Sequence, residues 1–282
     1  MATVSSLTIY PIKSCAGIAL QEATITPSGL STGRVADREW MVVDAAGQFM
    51  TQREFPKMAL IQPALMEEAL MVSMPGQLPF SLPYEQVDGA ATVRVTVWDD
   101  TVDACDCGEP AARWISAAIG VSCRLVRFAA GAERMTGHRW TDGQGAPTRF
   151  ADGYPLLVIG AASLDDINAH MAAAGRAALP MNRFRPNLVV AGLEGFEEDY
   201  VAQFEIGAIV LKPVKPCPRC PIPSIDQATG VHGPDPLDVL QAYRRKPRLD
   251  DAVCVGMNCV VAAGAGTRVA VGQSVTGHLA FD

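Results

Sequence analysis

The sequence predicts an α+β protein that is dominated by antiparallel β-sheet and is barrel-like in part. Three observations support this fold class. Short apolar or alternating runs bounded by glycine and proline recur along the chain, and only three stretches have a helical pattern. Nearly half of the 282 residues (49%) are apolar, whereas 19% are charged. This composition favours a large buried core and excludes an intrinsically disordered chain.

Alternation of apolar and polar residues predicts the strands. Val93, Val95 and Val97, for example, fall on one face of a strand. The turn-forming sequence 44–47 lies between two apolar runs and predicts a hairpin. The expected strands are 7–10, 18–26, 40–43, 49–51, 59–65, 70–73, 93–98, 123–128, 156–159, 188–191, 206–211, 253–262 and 267–275.

The three helical patterns are short and have recognisable start signals. Trp114 faces inward in the first helix, which follows a turn at 106–108. Ser163 and Asp166 resemble a capping box at the start of the second helix. Asp235 is the expected cap of the third helix, with a proline next to it at the first helical position. The expected helices cover 109–119, 163 to about 174, and 237–245.

A polar, glycine-rich segment at 129–145 separates two parts of the chain. It is long for a plain connection, so we expect it to be a linker or a lid between two subdomains. The predicted division is an N-terminal barrel-like domain at 1–128 and a second domain at 129–282, with the boundary at about 129–150.

Charge and cysteine usage bound the class of function. The formal net charge of −7 disfavours a nucleic-acid-binding protein, which needs a basic face. No apolar stretch approaches the ~18 residues needed to span a bilayer, and the first residues lack the pattern of a signal peptide. We therefore expect a cytoplasmic protein without a membrane or nucleic-acid partner, in which the eight cysteines are reduced.

The sequence Pro-Cys-Pro-Arg-Cys-Pro at 216–221 is the strongest candidate for chemistry. Its prolines fix φ and remove backbone donors, so the segment is stiff and is not an ordinary helical turn. The neighbouring Lys215 and Arg219 favour a thiolate, the form of cysteine that binds soft metals and does redox chemistry.

The spacing of the cysteines leaves three chemistries open. Cys217 and Cys220 could share a zinc ion with Cys254 and Cys259, but strand alternation puts the latter two on opposite faces. A thioredoxin-like pair should open a helix, which the following prolines disfavour. The third possibility is one thiolate bound to a redox metal cofactor.

Five further residues are candidates for binding an anion. Lys13 and Ser14 follow a strand and could hold a phosphate, or they could be a solvated strand end. Arg38 could join a phosphate pocket or pair with an adjacent carboxylate. Arg185 and Asn187 stand at the start of an apolar strand, where a guanidinium fork suits a phosphate or a fused heterocycle. The sequence has no dinucleotide-binding glycine motif, P-loop or histidine pair at metal-ligand spacing.

Taken together and in order, several segments resemble the MOSC family with its N-terminal β-barrel extension. Within the family, the sequence is similar to the mitochondrial amidoxime-reducing components and to bacterial proteins that reduce N-hydroxylated bases. The resemblance covers essentially the whole chain. The matching segments are YPIKSCAG, GRVADREWMVVD, TQREFP, DCGEPAARW, YPLLVIGAASLDDIN, RFRPNLVVAG and VKPCPRCPIPSIDQATG.

The resemblance implies a molybdenum cofactor, which is a pyranopterin dithiolene with a terminal phosphate. It implies that Cys220, the second cysteine of the C-x-R-C motif, is the metal ligand and the catalytic residue. It also implies that Lys13, Ser14 and Arg38 contact the phosphate and pterin end, and that Arg185 and Asn187 line the same pocket. The resemblance also implies pyridoxal phosphate binding, but it points to no particular residue for it.

The implied activity is reduction of N-hydroxylated compounds such as amidoximes, hydroxylamines and N-hydroxylated bases. The cysteine run of a C-terminal iron–sulfur domain is absent from the sequence, so a separate ferredoxin- or flavoprotein-type protein is the expected electron donor. The segment 221–226 departs from the usual family pattern and leaves substrate specificity open, and Asp226 in it could orient the loop or supply a proton. The alternative function is a sulfur carrier or a cofactor-handling protein with a persulfide on Cys220.

Overall fold

The computed structural model describes residues 1–85 and 90–280, and strands predominate in it. The α-helices are α1 (Gly108–Ile119), α2 (Ala161–Ala173) and α3 (Leu237–Gln241). The strands are β1 (Ala2–Ile9), β2 (Ile18–Leu20), β3 (Glu22–Thr26), β4 (Gly29–Ser31), β5 (Trp40–Val43), β6 (Gln62–Leu65), β7 (Ala69–Met74), β8 (Gln77–Pro83), β9 (Thr92–Val97), β10 (Asp100–Asp106), β11 (Arg124–Phe128), β12 (Leu156–Gly160), β13 (Leu188–Ala191), β14 (Val201–Ile206), β15 (Ile209–Pro218), β16 (Arg245–Lys246), β17 (Ala252–Ala263), β18 (Arg268–Ala270) and β19 (Ser274–Leu279).

Seven strands close into a barrel in the order β12-β13-β1-β19-β14-β15-β17, and β17 pairs back onto β12. The β12–β13 pair is parallel, because the chain returns from β12 through α2 before it enters β13. The other neighbours around the barrel are antiparallel. The predicted fold class, α+β with a mostly antiparallel barrel, is confirmed.

The barrel is filled by apolar side chains that alternate along its strands. In β14, Val201, Phe204 and Ile206 are at most 4% exposed, and the residues between them are more accessible. Burial of each such side chain contributes about 1.5–3 kcal/mol to folding. The same core takes Val4 and Leu7 from β1, so the first strand is an integral part of the barrel.

The N-terminal segment therefore supplies strands to both parts of the structure. Besides β1, which lies between β13 and β19, strand β3 pairs with β18 near the end of the chain. A division of the chain into two domains at residue 128 stays a prediction. The pairings of β1 and β3 connect strands on the two sides of that boundary.

The second body consists of two smaller sheets and α1. The sheets have the orders β5-β11-β10-β9 and β6-β7-β8. Helix α1 packs on them through Ile115 and Ala118, against a core that includes Trp40 and Val42. Trp114 was expected to be inward, but it lies at the margin, partly exposed, and donates its indole N–H to the carbonyl of Leu78 at 2.7 Å.

Three local predictions are wrong for identifiable reasons. The single strand expected at 206–211 is a hairpin, because Gly207 takes φ +61° and reverses the chain between β14 and β15. Ser163 is not a cap: it lies inside α2, where its hydroxyl donates to Glu198 at 2.7 Å. Helix α3 ends at Gln241, earlier than expected, although Asp235 does accept a hydrogen bond from the Leu237 N–H.

Two side chains within the segment 129–145 connect it to the rest of the protein. The buried Arg134 donates to the Asp100 carboxylate at 2.7 Å and to the carbonyls of Arg149 and Ala151. Near the tip, Asp142 pairs with Lys212 of β15 at 2.6 Å. Its roles as a linker or lid stay predictions. Within the described residues, no helix is long and apolar enough to cross a membrane.

Candidate functional site

A cleft of about 440 Å³ lies where the two bodies meet, and Cys220, Arg38 and Arg185 line it together. These are three of the six site residues predicted from the sequence. Lys13 and Asn187 lie behind the wall of the cleft, hydrogen-bonded to residues that form it. The volume falls in the range of small-molecule sites. The lining also includes Trp98, Asp152, Arg183, Lys215 and Cys217.

The two cysteines of the C-x-R-C motif have different surroundings. Cys217 is the second-last residue of β15, which continues to Pro218, and Pro218 pairs with Cys254 of β17. Cys220 follows the strand and leads into a short 3₁₀ helix at Ile222–Ser224. The prolines coincide with register shifts in the β15–β17 ladder, as expected for residues without an N–H.

Only part of the expected thiolate chemistry fits this arrangement. Burial raises the pKa of Cys217, and this effect outweighs the opposing charge of Arg219. Arg219 is instead an anchor: it donates to the carbonyls of Phe184 and Val255 at 2.7–3.1 Å. The influence of Arg219 on the Cys217 thiol thus has the expected direction but is smaller than that of burial. Cys220 is a free, partly exposed cysteine at the cleft.

The zinc alternative finds no support in the part of the chain that the structure describes. No three side chains of histidine, cysteine, aspartate or glutamate are grouped there so that they could hold a metal ion. Cys259 points into the barrel core, where burial raises its pKa, and all eight cysteines are free.

The cationic wall of the cleft is built around Tyr10. The guanidinium carbons of Arg38 and Arg185 lie 4.3 and 4.2 Å from the centre of its ring, and the phenol donates to the carbonyl of Pro186. Both arginines have positive φ, +48° and +57°. Non-glycine residues in this region are strained, and such strain concentrates at binding sites.

Arg38 is held by a carboxylate and an amide. It pairs with Asp37, and its Nη1 donates to the side-chain oxygen of Asn187 at 3.2 Å. The Asn187 amide also donates to Asp37 and to the carbonyl of Thr8, and its oxygen accepts from the Leu157 N–H. These contacts use both donors and both acceptor positions of the amide. Asn187 thus orients Arg38 and joins β1 to β12.

Arg185 lacks such compensation. It is 9% exposed, and it makes no hydrogen bond or ion pair with any residue in 1–85 or 90–280. Burial lowers its pKa, and this effect outweighs the opposing influence of nearby groups such as Asp152, which does not pair with it directly. An anion in the cleft would offset this penalty.

Lys13 and Ser14 occupy a buried turn after β1. The Lys13 ammonium donates to Asp152 at 2.6 Å and to the carbonyl of Phe150 at 2.8 Å, which leaves one of its three donors over. Burial lowers its pKa, against the influence of Asp152. Ser14 has φ +65°, and its carbonyl accepts from Gln52.

The structure adds Trp98 and Asp152, which were not predicted from the sequence, and shows the contacts of Arg183 and Asp226. Trp98 donates its indole N–H to Asp152 at 3.1 Å, and both line the cleft. Arg183, 2% exposed, donates to Asp226 at 2.7 Å and to the carbonyl of Pro223. The Asp226 carboxylate also accepts from the N–H groups of 228 and 229, so its contacts are those of a turn-forming residue.

Comparisons with known proteins agree with this architecture. Residues 1–122 match the family model of the MOSC N-terminal beta barrel domain, and residues 146–276 match that of the MOSC domain. Mitochondrial amidoxime reducing component 2 of Homo sapiens is 34% identical over 248 residues, covering 86% of this chain and 73% of the relative. Mitochondrial amidoxime-reducing component 1 of Mus musculus is 34% identical over 251 residues, with 86% and 72% coverage.

A relative that is not an amidoxime-reducing component also matches most of the chain. Molybdenum cofactor sulfurase of Homo sapiens is 30% identical over 242 residues, which are 80% of this chain but 27% of that protein. The barrel fold, the two matched domains and the identity to relatives over most of their length lead to one assignment. The chain belongs to the MOSC family and combines a MOSC N-terminal β-barrel domain with a MOSC domain.

Proposed function

We propose that this protein is a molybdenum-cofactor-dependent reductase of N-hydroxylated compounds. The names of the amidoxime-reducing relatives, at 34% identity over most of the chain, suggest the reaction class. The observation that carries the proposal is the uncompensated guanidinium of Arg185, which shares one cleft with the accessible thiol of Cys220. A cofactor that has both a thiolate-binding metal and a phosphate would satisfy both groups.

The residues present fit such a cofactor. Cys220 would be the protein ligand of the metal, since it is free and faces the cleft. Arg185 and Arg38 would neutralise the anionic end, and Lys13 has a spare donor nearby. Ser14 is carried on the same strained turn as Lys13. Asn187 would act through Arg38, which it orients.

When bound, the cofactor supplies the two-electron chemistry that removes the oxygen of an N–OH group. Overall, the substrate takes up two electrons and two protons and gives the N–H compound and water. The chain's own contribution is to bind the cofactor, to compensate its charge and to bring the substrate into the cleft. The electrons would come from a separate ferredoxin- or flavoprotein-type protein, and the expected cytoplasmic location remains part of the proposal.

The proposal is tested on protein purified from a host that makes the molybdenum cofactor. We expect molybdenum and pterin in equal amounts, close to one per chain, and reduction of an amidoxime with a chemically reduced dye as electron donor. A folded protein that holds neither molybdenum nor pterin would contradict the proposal.

The match to molybdenum cofactor sulfurase favours a second candidate function, sulfur transfer or cofactor handling. In that case Cys220 would carry a persulfide and the cleft would bind the cofactor without turning over N-hydroxylated substrates. Treatment with cyanide separates the two, because it releases thiocyanate from a persulfide. Thiocyanate from the wild type but not from Cys220→Ser, with no amidoxime reduction, would establish the second function.

A further inference from the structure

Trp98 is in a backbone conformation that is costly for a bulky residue. Val97 pairs with Asp100, so Trp98 and Asp99 form a two-residue hairpin turn between β9 and β10. Trp98 has φ +57°. Glycine or asparagine is favoured where such turns require positive φ. An indole in a conformation that glycine would adopt without strain points to a function for the ring.

Contacts on several sides hold the indole beside the cleft. Its N–H donates to Asp152 at 3.1 Å, and the Phe49 ring lies 5.0 Å away. The guanidinium carbon of Arg53 lies 4.7 Å from the centre of the ring. Trp98 is nevertheless 44% exposed and lines the same cleft as Cys220. A large, fixed and partly exposed aromatic surface at a binding cleft is suited to stacking with a flat ligand.

The other walls of the cleft cannot supply this kind of contact as readily. Tyr10 has the Arg38 and Arg185 guanidinium groups next to its ring and is 3% exposed. Phe184 is 1% exposed, with the Arg219 guanidinium beside it. Tyr154 also lines the cleft but is partly buried, so Trp98 is the most exposed aromatic side chain of the cleft among the described residues.

We propose that Trp98 is a substrate-binding residue that stacks on flat, conjugated N-hydroxylated compounds and selects them over small alkyl ones. The favoured class comprises aryl amidoximes and N-hydroxylated heterocyclic bases, whose rings are planar. The inference rests on the proposed reductase function and deepens it by naming a residue that determines which N-hydroxylated compounds bind. Asp152 and Arg53 act as positioning residues for the indole, which they contact directly.

The test compares phenyl- and methyl-substituted amidoximes, which share one reacting group, on molybdenum-loaded protein. We expect the wild type to prefer the phenyl compound in kcat/KM. Trp98→Ala should reduce this preference roughly tenfold, mainly through KM, in line with the strength of base–aromatic stacking. Trp98→Phe keeps a ring and should retain most of the preference. Trp114→Ala removes a partly exposed indole on α1, outside the cleft, and should leave the preference as in the wild type.

Two results would overturn the inference. One is a wild type that reduces both amidoximes with equal kcat/KM. The other is an equal loss of preference in Trp98→Phe and Trp98→Ala, which would assign the effect to the hydrogen bond with Asp152. Calorimetric binding of both amidoximes separates this failure from that of the proposed function. If the wild type reduces neither compound, the reductase function fails, and tighter phenyl binding that Trp98→Ala abolishes would still support the stacking site.

Discussion

The buried arginines of this protein differ in how their charge is compensated. Arg183 and Arg244 each have a carboxylate at 2.7 Å, whereas Arg185 has none among the described residues. Removing one partner of a buried ion pair leaves a lone charge, but removing a charge that is already alone relieves a penalty. The two kinds of arginine should therefore respond to neutralisation in opposite directions.

We expect Arg185→Gln to leave the free energy of unfolding of the cofactor-free protein unchanged, or to raise it by up to ~2 kcal/mol. The same change should lower the molybdenum content about tenfold or more, because charge-assisted hydrogen bonds to the anionic end are lost. Urea unfolding and metal analysis measure the two effects. Arg244→Gln is the control, and it should cost about 1.5–3 kcal/mol because Asp199 loses one charge-assisted hydrogen bond and keeps only Lys246. A comparable destabilisation by Arg185→Gln would refute a built anion site.

Single residues show how far the sequence could predict the site. Cys220, Arg38 and Arg185 were singled out from local chemistry, and the structure brings them into one cleft. Trp98 was not, because its importance arises from a positive φ in a turn that has no glycine or asparagine to signal it. Asp152 is a lone carboxylate in the sequence, and only the fold brings it next to Lys13 across 139 residues.

At the level of elements, an amide pair joins the N-terminal half to the turn that follows the C-x-R-C motif. Gln52 is fully buried and donates to the carbonyl of Ser14 at 2.7 Å. Its amide oxygen accepts from Gln227 at 2.9 Å, and Gln227 also donates to the carbonyl of Ile225. The pair thus ties the turn that carries Lys13 and Ser14 to the segment after Cys220.

Gln227→Ala should lower the free energy of unfolding by about 1–3 kcal/mol, because the buried oxygen of Gln52 loses its donor. Chemical denaturation followed by tryptophan fluorescence provides the measurement. Gln144→Ala removes an exposed glutamine in the segment 129–145 and serves as the control, with an expected change within about 0.5 kcal/mol. Equal stability of the two variants would show that the amide pair does not join the two halves.

Elements with a strong periodic pattern were predicted better than those defined by long-range pairing. Helix α1 and strands β5, β12 and β13 lie close to their predicted bounds, since each has an unbroken apolar pattern. Strands β8 and β10 were missed, as were β4 and the separate β14. In β8, two prolines and two other exposed residues obscure the alternation. Its strand conformation depends on pairing with β7, which no local pattern specifies.

For the molecule as a whole, closure of the barrel depends on its first strand. Strand β1 lies between β13 and β19, and Val4 and Leu7 enter the barrel core. A fragment that consists of residues 129–282 would lose this strand and expose apolar surface. We expect it to lack cooperative unfolding in urea and a near-ultraviolet circular dichroism signal. A fragment with a sharp unfolding transition would instead establish the division at residue 128 as an independent folding boundary.

The buried thiols should make stability depend on pH in the alkaline range. Burial raises the pKa of Cys15 and Cys107 to about 12 and that of Cys254 to about 11. In the unfolded chain these thiols ionise near pH 8.5. Their contribution is complete below that pH and is lost as pH rises toward the folded pKa values, by about 1.4 kcal/mol per pH unit for each thiol. Unfolding free energies measured between about pH 8 and pH 10.5 should fall accordingly.

Cys15→Ala is the matched variant for this effect. It should flatten the alkaline decline by about 1.4 kcal/mol per pH unit, because one raised thiol pKa is removed. Other groups also titrate in this range, and the comparison with the wild type cancels their contribution. Parallel pH profiles for the two proteins would show that the Cys15 thiol ionises equally well in the folded state.

The central claim is that the Cys220 sulfur binds molybdenum in a cleft where the buried guanidinium of Arg185 binds the anionic end of the cofactor. The most direct measurement is molybdenum per folded chain in Cys220→Ser and Cys217→Ser, purified side by side with the wild type. We predict that Cys220→Ser folds normally but loses its molybdenum or its amidoxime reduction, and that Cys217→Ser keeps both. Retention of both properties by Cys220→Ser, or their loss in Cys217→Ser alone, would contradict the account.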